Sequence, residues 1–523
     1  MSRNVKVRGW KDAPTFLAIP TFLAIPALLA ALALVACAGP KDIPTPLETV
    51  DGDVLTSHDD MMAFLTGLQN ETGAFAMDTI GTSVEGRSLV LLDFTGSRLS
   101  GAPDGPRLKM LMFAQQHGNE PSGKEAAMAL ARDIATGRFS AFLESVDFYL
   151  IPQVNPDGSE MRQRANAAGS DLNRDHLTLS TPEVAALHSV FKEHMPEVTL
   201  DIHEYGPAGS AWVRAGMHKD FGQQIDGLTN PNMSMELRSF VWDRVIPNLR
   251  ERLAPQEVFL RRYLVSGSPH ERFRYSTTAL NDGRNSMGIY NSLSFLIEGL
   301  NGLTVEEDIR ERTRRQLETM KAFALFFSEN AAEVKALVDA ERARLWGDGA
   351  SPEVALVADY VKDPAHPGVT VGVINLETGL PESRTFEEYY PVVETTLSVP
   401  RPLGYAIPPH LTEVLEVLAR HGIALGTVEG SLPAEVETYR IERVEASWKE
   451  DKEFLDVGVT VHRRDLVLPQ GTVVVWSDQL ASNLIAALLE PQSQWGLAQL
   501  PEFASLLAVS AEYPILRIVG AAD

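Results

Sequence analysis

The chain holds a single cysteine, Cys37, among 523 residues. One thiol cannot form an internal disulfide, a thiolate zinc site or an iron–sulfur cluster. The fold must therefore stand on packing alone, and any metal must rest on imidazole or carboxylate. Basic charge is also in short supply, with 46 Lys and Arg against 70 Asp and Glu and a net charge of −24. Phosphate-backbone binding needs a concentrated basic surface, so no nucleic-acid partner is expected.

The N-terminus is set apart from the rest. Arg3, Lys6, Arg8 and Lys11 form a basic leader, followed by the apolar run of residues 16–35, which Pro20 and Pro26 interrupt. That run ends in Leu34-Val35-Ala36-Cys37, which is similar to the lipobox of a bacterial lipoprotein signal. The resemblance implies a signal peptide over 1–36 and a lipid on Cys37 as the membrane link. It also implies an exported protein anchored in the bacterial cell envelope, on the periplasmic side or in the outer membrane. An uncleaved anchor of about 20 apolar residues is the alternative. The acidic body suits tethering by a lipid rather than by a basic face.

Residues 37–56 read as a Pro- and Asp-rich tether. A helical pattern follows at 57–70, and then short apolar runs at 88–94, 108–114, 146–151, 198–202 and 293–297. Helical stretches at 123–136 and 181–194 separate some of them. Runs of this length between helices predict buried strands of an α/β sheet. Long helical patterns at 305–326 and 331–346 close this part. After Gly347 the texture changes to short β-rich runs with many prolines. The expected organisation is a catalytic domain over 57–347, with a mixed central sheet flanked by helices. A smaller C-terminal mixed β/α accessory domain is expected over 348–523.

The chemistry-bearing residues fall near the ends of the apolar runs. His117 and Glu120 follow the run at 108–114, Asn155 follows that at 146–151, His203 follows that at 198–202, and Glu298 follows that at 293–297. Ligand sites in open α/β sheets form at this edge. Two imidazoles and a carboxylate can hold one zinc and leave a coordination position open.

In this ordered set the chain resembles the M14 zinc carboxypeptidase family. His117-Gly-Asn-Glu120 with the distant His203 matches the family's metal ligands, and Asn155-Pro-Asp-Gly158, Asp171-Leu-Asn-Arg174 and the late Glu298 match its further motifs. The resemblance covers roughly 55–330. It implies one Zn2+ per chain and a peptide substrate with a free C-terminal carboxylate. It makes Glu298 the general base and Arg164 the oxyanion-stabilising arginine, with Arg162 as the rival. Asn173 and Arg174 would grip the terminal carboxylate, for which an arginine fork is suited.

The family's active-site tyrosine is open between Tyr275 and Tyr290. In the specificity segment 276–288, Asp282 would favour a Lys or Arg side chain, although an Asp-Gly turn explains it equally well. Glu204 reads either as a group orienting a metal ligand or as solvent-facing. His188 reads as a surface or partly buried helix residue. Two other functions remain: a zinc amidase acting on muropeptides or another non-standard amide, and a non-catalytic envelope binding protein.

Overall fold

The computed structural model describes residues 42–95, 107–346 and 351–522. The signal segment and Cys37 lie outside the described residues. Among the described residues no helix is long and apolar enough to cross a membrane. The described part of the expected tether already packs on the body. Leu47 is buried, and Thr56 donates from both its backbone N–H and its hydroxyl to Glu125.

The central sheet has eight strands: β1 (Ala76–Thr82), β2 (Ser88–Phe94), β3 (Leu108–Ala114), β4 (Val146–Ile151), β5 (Val198–Tyr205), β6 (Gln223–Asp226), β7 (Leu260–Arg262) and β8 (Leu293–Leu300). Their spatial order is β1-β2-β4-β3-β5-β8-β6-β7. The middle strands β4, β3, β5 and β8 pair in parallel, whereas β1, β2 and β6 join antiparallel. The parallel strands are nearly continuous apolar runs because helices cover both faces.

Those helices start and stop where the side chains direct. Ser57 caps His58–Thr72 by accepting from Asp60 N–H, and Gly73 ends that helix in the left-handed region at φ 62°. Thr181 caps Pro182–His194, with proline at its first turn. Ser122–Ala135 packs against the 21-residue helix Ile309–Glu329.

The C-terminal region contains a six-stranded antiparallel sheet. Its main feature is a hairpin of two long strands, Leu432–Lys449 and Lys452–Leu468. With the helices Thr412–Arg420 and Ser482–Leu489, it forms the smaller mixed β/α domain. Other segments beyond 350 join the catalytic part directly. Val369–Asn375 pairs with Met217–Lys219, and Tyr389–Tyr390 pairs with Phe273–Tyr275. One continuous apolar core runs from Leu65, Phe113 and Phe295 through Val354 and Tyr405 to Trp495.

A core without a seam predicts cooperative loss of structure. Chemical denaturation followed by tryptophan fluorescence and by far-ultraviolet circular dichroism is expected to give coincident transitions for residues 43–523. Two well-separated transitions would contradict a shared core.

Candidate metal and catalytic site

The site stands on one register. In the parallel pairing of β5 with β8, His203 and Glu298 are direct partners. Neighbouring strands lie about 4.8 Å apart and paired residues point to the same face, so imidazole and carboxylate are held side by side. Both residues lie inside their strands, which run further than the apolar patterns at 198–202 and 293–297 suggested. Past β3, the loop 115–121 brings in His117 and Glu120.

That loop passes very close to the turn at 156–160. A Cβ on Gly118 would lie 1.9 Å from the Gly158 carbonyl carbon, so only glycine fits there. Asn155 ties the two segments together. Its side chain donates to Gln116 O at 3.0 Å and to Arg164 O at 3.3 Å, and accepts from Gly158 N–H at 2.8 Å. Asp157 accepts from the Ser83 hydroxyl, Glu85 N–H and Arg87. The Asn-Pro-Asp-Gly motif is thus a brace beneath the site.

Donor atoms of His117, Glu120 and His203, all buried, lie within 4.8 Å of one another. His117 Nδ1 is 2.8 Å from Glu120 Oε1, His203 Nδ1 is 3.0 Å from Glu120 Oε2, and the two Nδ1 atoms are 3.2 Å apart. Ligands of a tetrahedral zinc are separated by about 3.4 Å, so the set fits that ion with little adjustment. The electrostatics agree. Burial works against charge on His203, but Asp201 and Glu120 outweigh it and draw positive charge toward the cluster. Burial likewise opposes ionised Glu120, and His117 and His203 overcome it, holding the carboxyl well below its ordinary range.

Outer groups fix each ligand. His117 Nε2 is 3.0 Å from Asp171 Oδ1. His203 Nε2 is 2.9 Å from Asp201 Oδ1, and Gln316 donates to the His203 carbonyl. Asp201 accepts from Gln116, whose own oxygen meets His176 Nε2 at 2.7 Å. His176 Nδ1 is 2.8 Å from His188 Nε2. His188 is therefore deeply buried, and not at the surface as the helical pattern suggested. Burial pushes His176 down to about 4 and lowers His188 well below its ordinary value, so both stay neutral. Glu204 is buried in a double hydrogen bond with Arg312, and its N–H donates to Glu120 Oε2.

A cavity of about 390 Å³ opens over this cluster and is lined by Glu298, Arg164, Asn173, Arg174, Asp282 and Tyr263, among others. Burial raises the Glu298 carboxyl to about 7, with His203 pulling the other way. Tyr263 lines the same cavity, and burial together with the neighbouring Glu298 charge raises its hydroxyl well above the ordinary value. Arg164 donates to Asp171 at 2.9 Å and points Nη1 toward Glu120 at 3.5 Å. Arg162 instead pairs with Glu306 and is absent from the lining. Asn173 accepts from Gly283 N–H and places its amide 3.1 Å from His203 Nε2.

Two positions that the sequence left open take the following places. Tyr275 does not line the cavity. Its hydroxyl meets that of Tyr389 at 2.5 Å, and its ring lies under Arg262, 3.6 Å from the guanidinium carbon. The tyrosine at Glu298 is Tyr263, whose Arg-Arg-Tyr-Leu context carries no motif to reveal it. Tyr290 is buried in the core. Asp282 does line the cavity, but its charge is already engaged. It caps the helix Gly283–Gly288 by accepting from Asn285 N–H at 2.6 Å, and it pairs with the fully buried Arg284 at 3.1 Å. The Arg284 guanidinium thus offsets the charge with which Asp282 would select a basic side chain.

Fold and donor set define a metallopeptidase-like catalytic domain with a mononuclear zinc site. Residues 61–208 match the family model described as Zinc carboxypeptidase, and the chain thus carries an M14-type zinc-carboxypeptidase-like domain with a distinct C-terminal domain. The chain is 26% identical over 470 residues to carboxypeptidase 2 of Trichophyton tonsurans, covering 83% of this chain and 81% of that relative. It is 35% identical over 120 residues to carboxypeptidase E of Caenorhabditis elegans, covering 20% of this chain and 25% of that relative. A solved metallo-carboxypeptidase from Pseudomonas aeruginosa shares 24% identity at a TM-score of 0.40, covering 53% of this chain and 70% of that one.

Because Asp171 orients His117, Asp171→Asn is expected to weaken zinc binding roughly 10- to 100-fold. Competition against a chromogenic chelator measures this, and an unchanged affinity would remove Asp171 from the site's support.

Proposed function

We propose that the protein is a zinc metallocarboxypeptidase that releases the C-terminal residue of peptides. The observation that carries this reading is the convergence on one cavity of the His117–Glu120–His203 set, the Glu298 carboxylate and the Arg174 guanidinium. A zinc bound by the three ligands supplies Lewis-acid chemistry at the scissile carbonyl.

The chain's own groups supply the rest. Arg174, with Asn173 beside it, holds the substrate's terminal carboxylate and so places the last amide bond over the cluster. Glu298 takes a proton from the attacking water and returns it to the leaving nitrogen. Burial raises its pKa to about 7, which makes it a stronger base than an exposed carboxylate. The Arg164 guanidinium, held by Asp171, stabilises the oxyanion as it develops. Tyr263 stands on the wall of the same cavity and offers its hydroxyl to the reacting groups.

The reading extends to location and organisation. The lipobox-like segment at Cys37 supports an exported, lipid-anchored enzyme of the cell envelope. The change in sequence texture after Gly347 supports a catalytic domain over 57–347 and an accessory domain over 348–523. In an envelope setting muropeptides are the rival substrate, so both classes belong in the same release assay.

Glu298→Gln is expected to retain one zinc per chain while kcat falls at least about a hundredfold, as measured by metal analysis and release of the terminal amino acid. Full activity in that variant would sink the base assignment. Only ionised Glu298 can accept the proton, so kcat/KM should be lost as pH falls through its pKa. The cationic zinc places that midpoint at or below about 7. A pH–rate profile that rises toward acid would contradict this.

A further inference from the structure

The long C-terminal hairpin ends on the catalytic cavity. Its two-residue turn, Glu450-Asp451, has both residues in the left-handed region, at φ 50° and 62°. Turns of this kind favour Asn and Gly, so two ordinary side chains here need outside support. They receive it from the catalytic domain. The Glu450 carboxylate accepts from the Thr277 hydroxyl at 2.6 Å, Thr278 N–H at 3.0 Å and the Thr278 hydroxyl. Arg274 donates to the Glu450 carbonyl at 2.9 Å and to Asp451 at 3.0 Å, and Arg272 pairs with Asp451 at 2.5 Å. The pinned turn brings the next residue, Lys452, into the wall of the cavity that holds Glu298 and Arg174.

The charges around that cavity are mostly spent. Arg284 pairs with Asp282, Arg274 with Asp451, Arg164 with Asp171, Glu204 with Arg312, and Asp201 with His203. Glu120 belongs to the metal cluster, and Glu298 is the base. Two cations remain, Arg174 and Lys452, neither with an ion pair among the described residues. Although Lys452 still meets solvent, crowding by the cavity walls and then Arg174 depress its ammonium pKa, partly offset by Glu450 and Asp282. A carboxylate placed between the two cations would relieve that repulsion.

A C-terminal residue brings one carboxylate of its own, and Arg174 is assigned to it. The second cation calls for a second carboxylate, on the side chain. We propose that the C-terminal domain completes the specificity pocket, and that Lys452 beside Arg174 selects peptides ending in glutamate or aspartate. This rests on the carboxypeptidase reading above and names its substrate class.

The test uses the full zinc-loaded chain and N-acylated peptides that differ only in a last residue of Glu, Asp, Phe or Lys. The wild type is expected to favour Glu or Asp over Lys by tenfold or more in kcat/KM. Lys452→Met should lower the Glu-to-Phe ratio by roughly fivefold, since a solvent-screened pair contributes modestly. Lys452→Glu should make Lys the better substrate of the Glu and Lys pair. The Lys452 side chain is exposed, so thermal midpoints of both variants should match the wild type. Preference for Phe or Lys in the wild type, or ratios unmoved in Lys452→Glu, would overturn the proposal.

A binding arm separates the two readings. Calorimetry of acetylated dipeptides ending in Glu or Lys is run on Glu298→Gln, and on Glu298→Gln combined with Lys452→Glu. Tighter binding of the Glu peptide, reversed in the double variant, supports the pocket even if no peptide is hydrolysed by the wild type. In that event the hydrolytic reading falls and the acidic preference stands. Equal affinities would overturn the acidic preference whatever the turnover.

Discussion

The active-site geometry depends on the parallel register of β5 against β8. Because paired positions on parallel strands share a face, setting His203 opposite Glu298 fixes that carboxylate beside the metal cluster. A slip of one residue would turn one of the two side chains to the opposite face. The register is secured by burial, since Leu200, Ile202, Phe295 and Ile297 are all core residues. Thr199 and Ser294 add a hydrogen bond between their hydroxyls at 2.6 Å. The apolar core thus sets the catalytic distance, and the polar residues inherit it.

Behind that register, polar groups are arranged in layers. The three ligands touch Asp171, Asp201 and the Glu204 backbone, and these touch Arg164, Gln116 and Arg312. A buried charge without partners is costly, so each carboxylate beneath the cluster comes with its own donors. The His176–His188 pair at the back stays neutral because burial disfavours its protonation. It can therefore extend the network without adding to the positive charge at the metal site.

What the sequence disclosed follows the same physics. Strands β2, β3 and β4 were legible to the residue, because buried parallel and near-central strands are unbroken apolar runs with turn residues beside them. The edge strand β1, Ala-Met-Asp-Thr-Ile-Gly-Thr, and the short β6 and β7 were not, since polar and charged residues dilute their patterns. His117, Glu120 and His203 were legible because local spacing and a strand end marked them. Tyr263 was not, because its place beside Glu298 comes from the path of a connecting segment. Asp282 was legible only as an alternative. Its residue type fitted either a recognition charge or a turn, and the local bond from Asn285 N–H makes it a helix cap beside Arg284.

The C-terminal hairpin was the least legible part, and its role in the cleft follows from its length. At about 3.3 Å per residue, a 17-residue strand spans roughly 55 Å, enough to carry a turn from the accessory sheet to the catalytic wall. A tip so far from its own sheet would be mobile if left free. Instead, Glu450 and Asp451 are fixed by Thr277, Thr278, Arg272 and Arg274, the segment that also walls the cavity. The contact therefore works in both directions: the catalytic domain holds an unfavourable turn in place, and the turn stiffens the segment that walls the cavity. Loss of the hairpin would remove Lys452 and also take from Thr277, Thr278 and the two arginines their bonds to Glu450 and Asp451. The accessory domain is better understood as one wall of the active site than as an appendage to it.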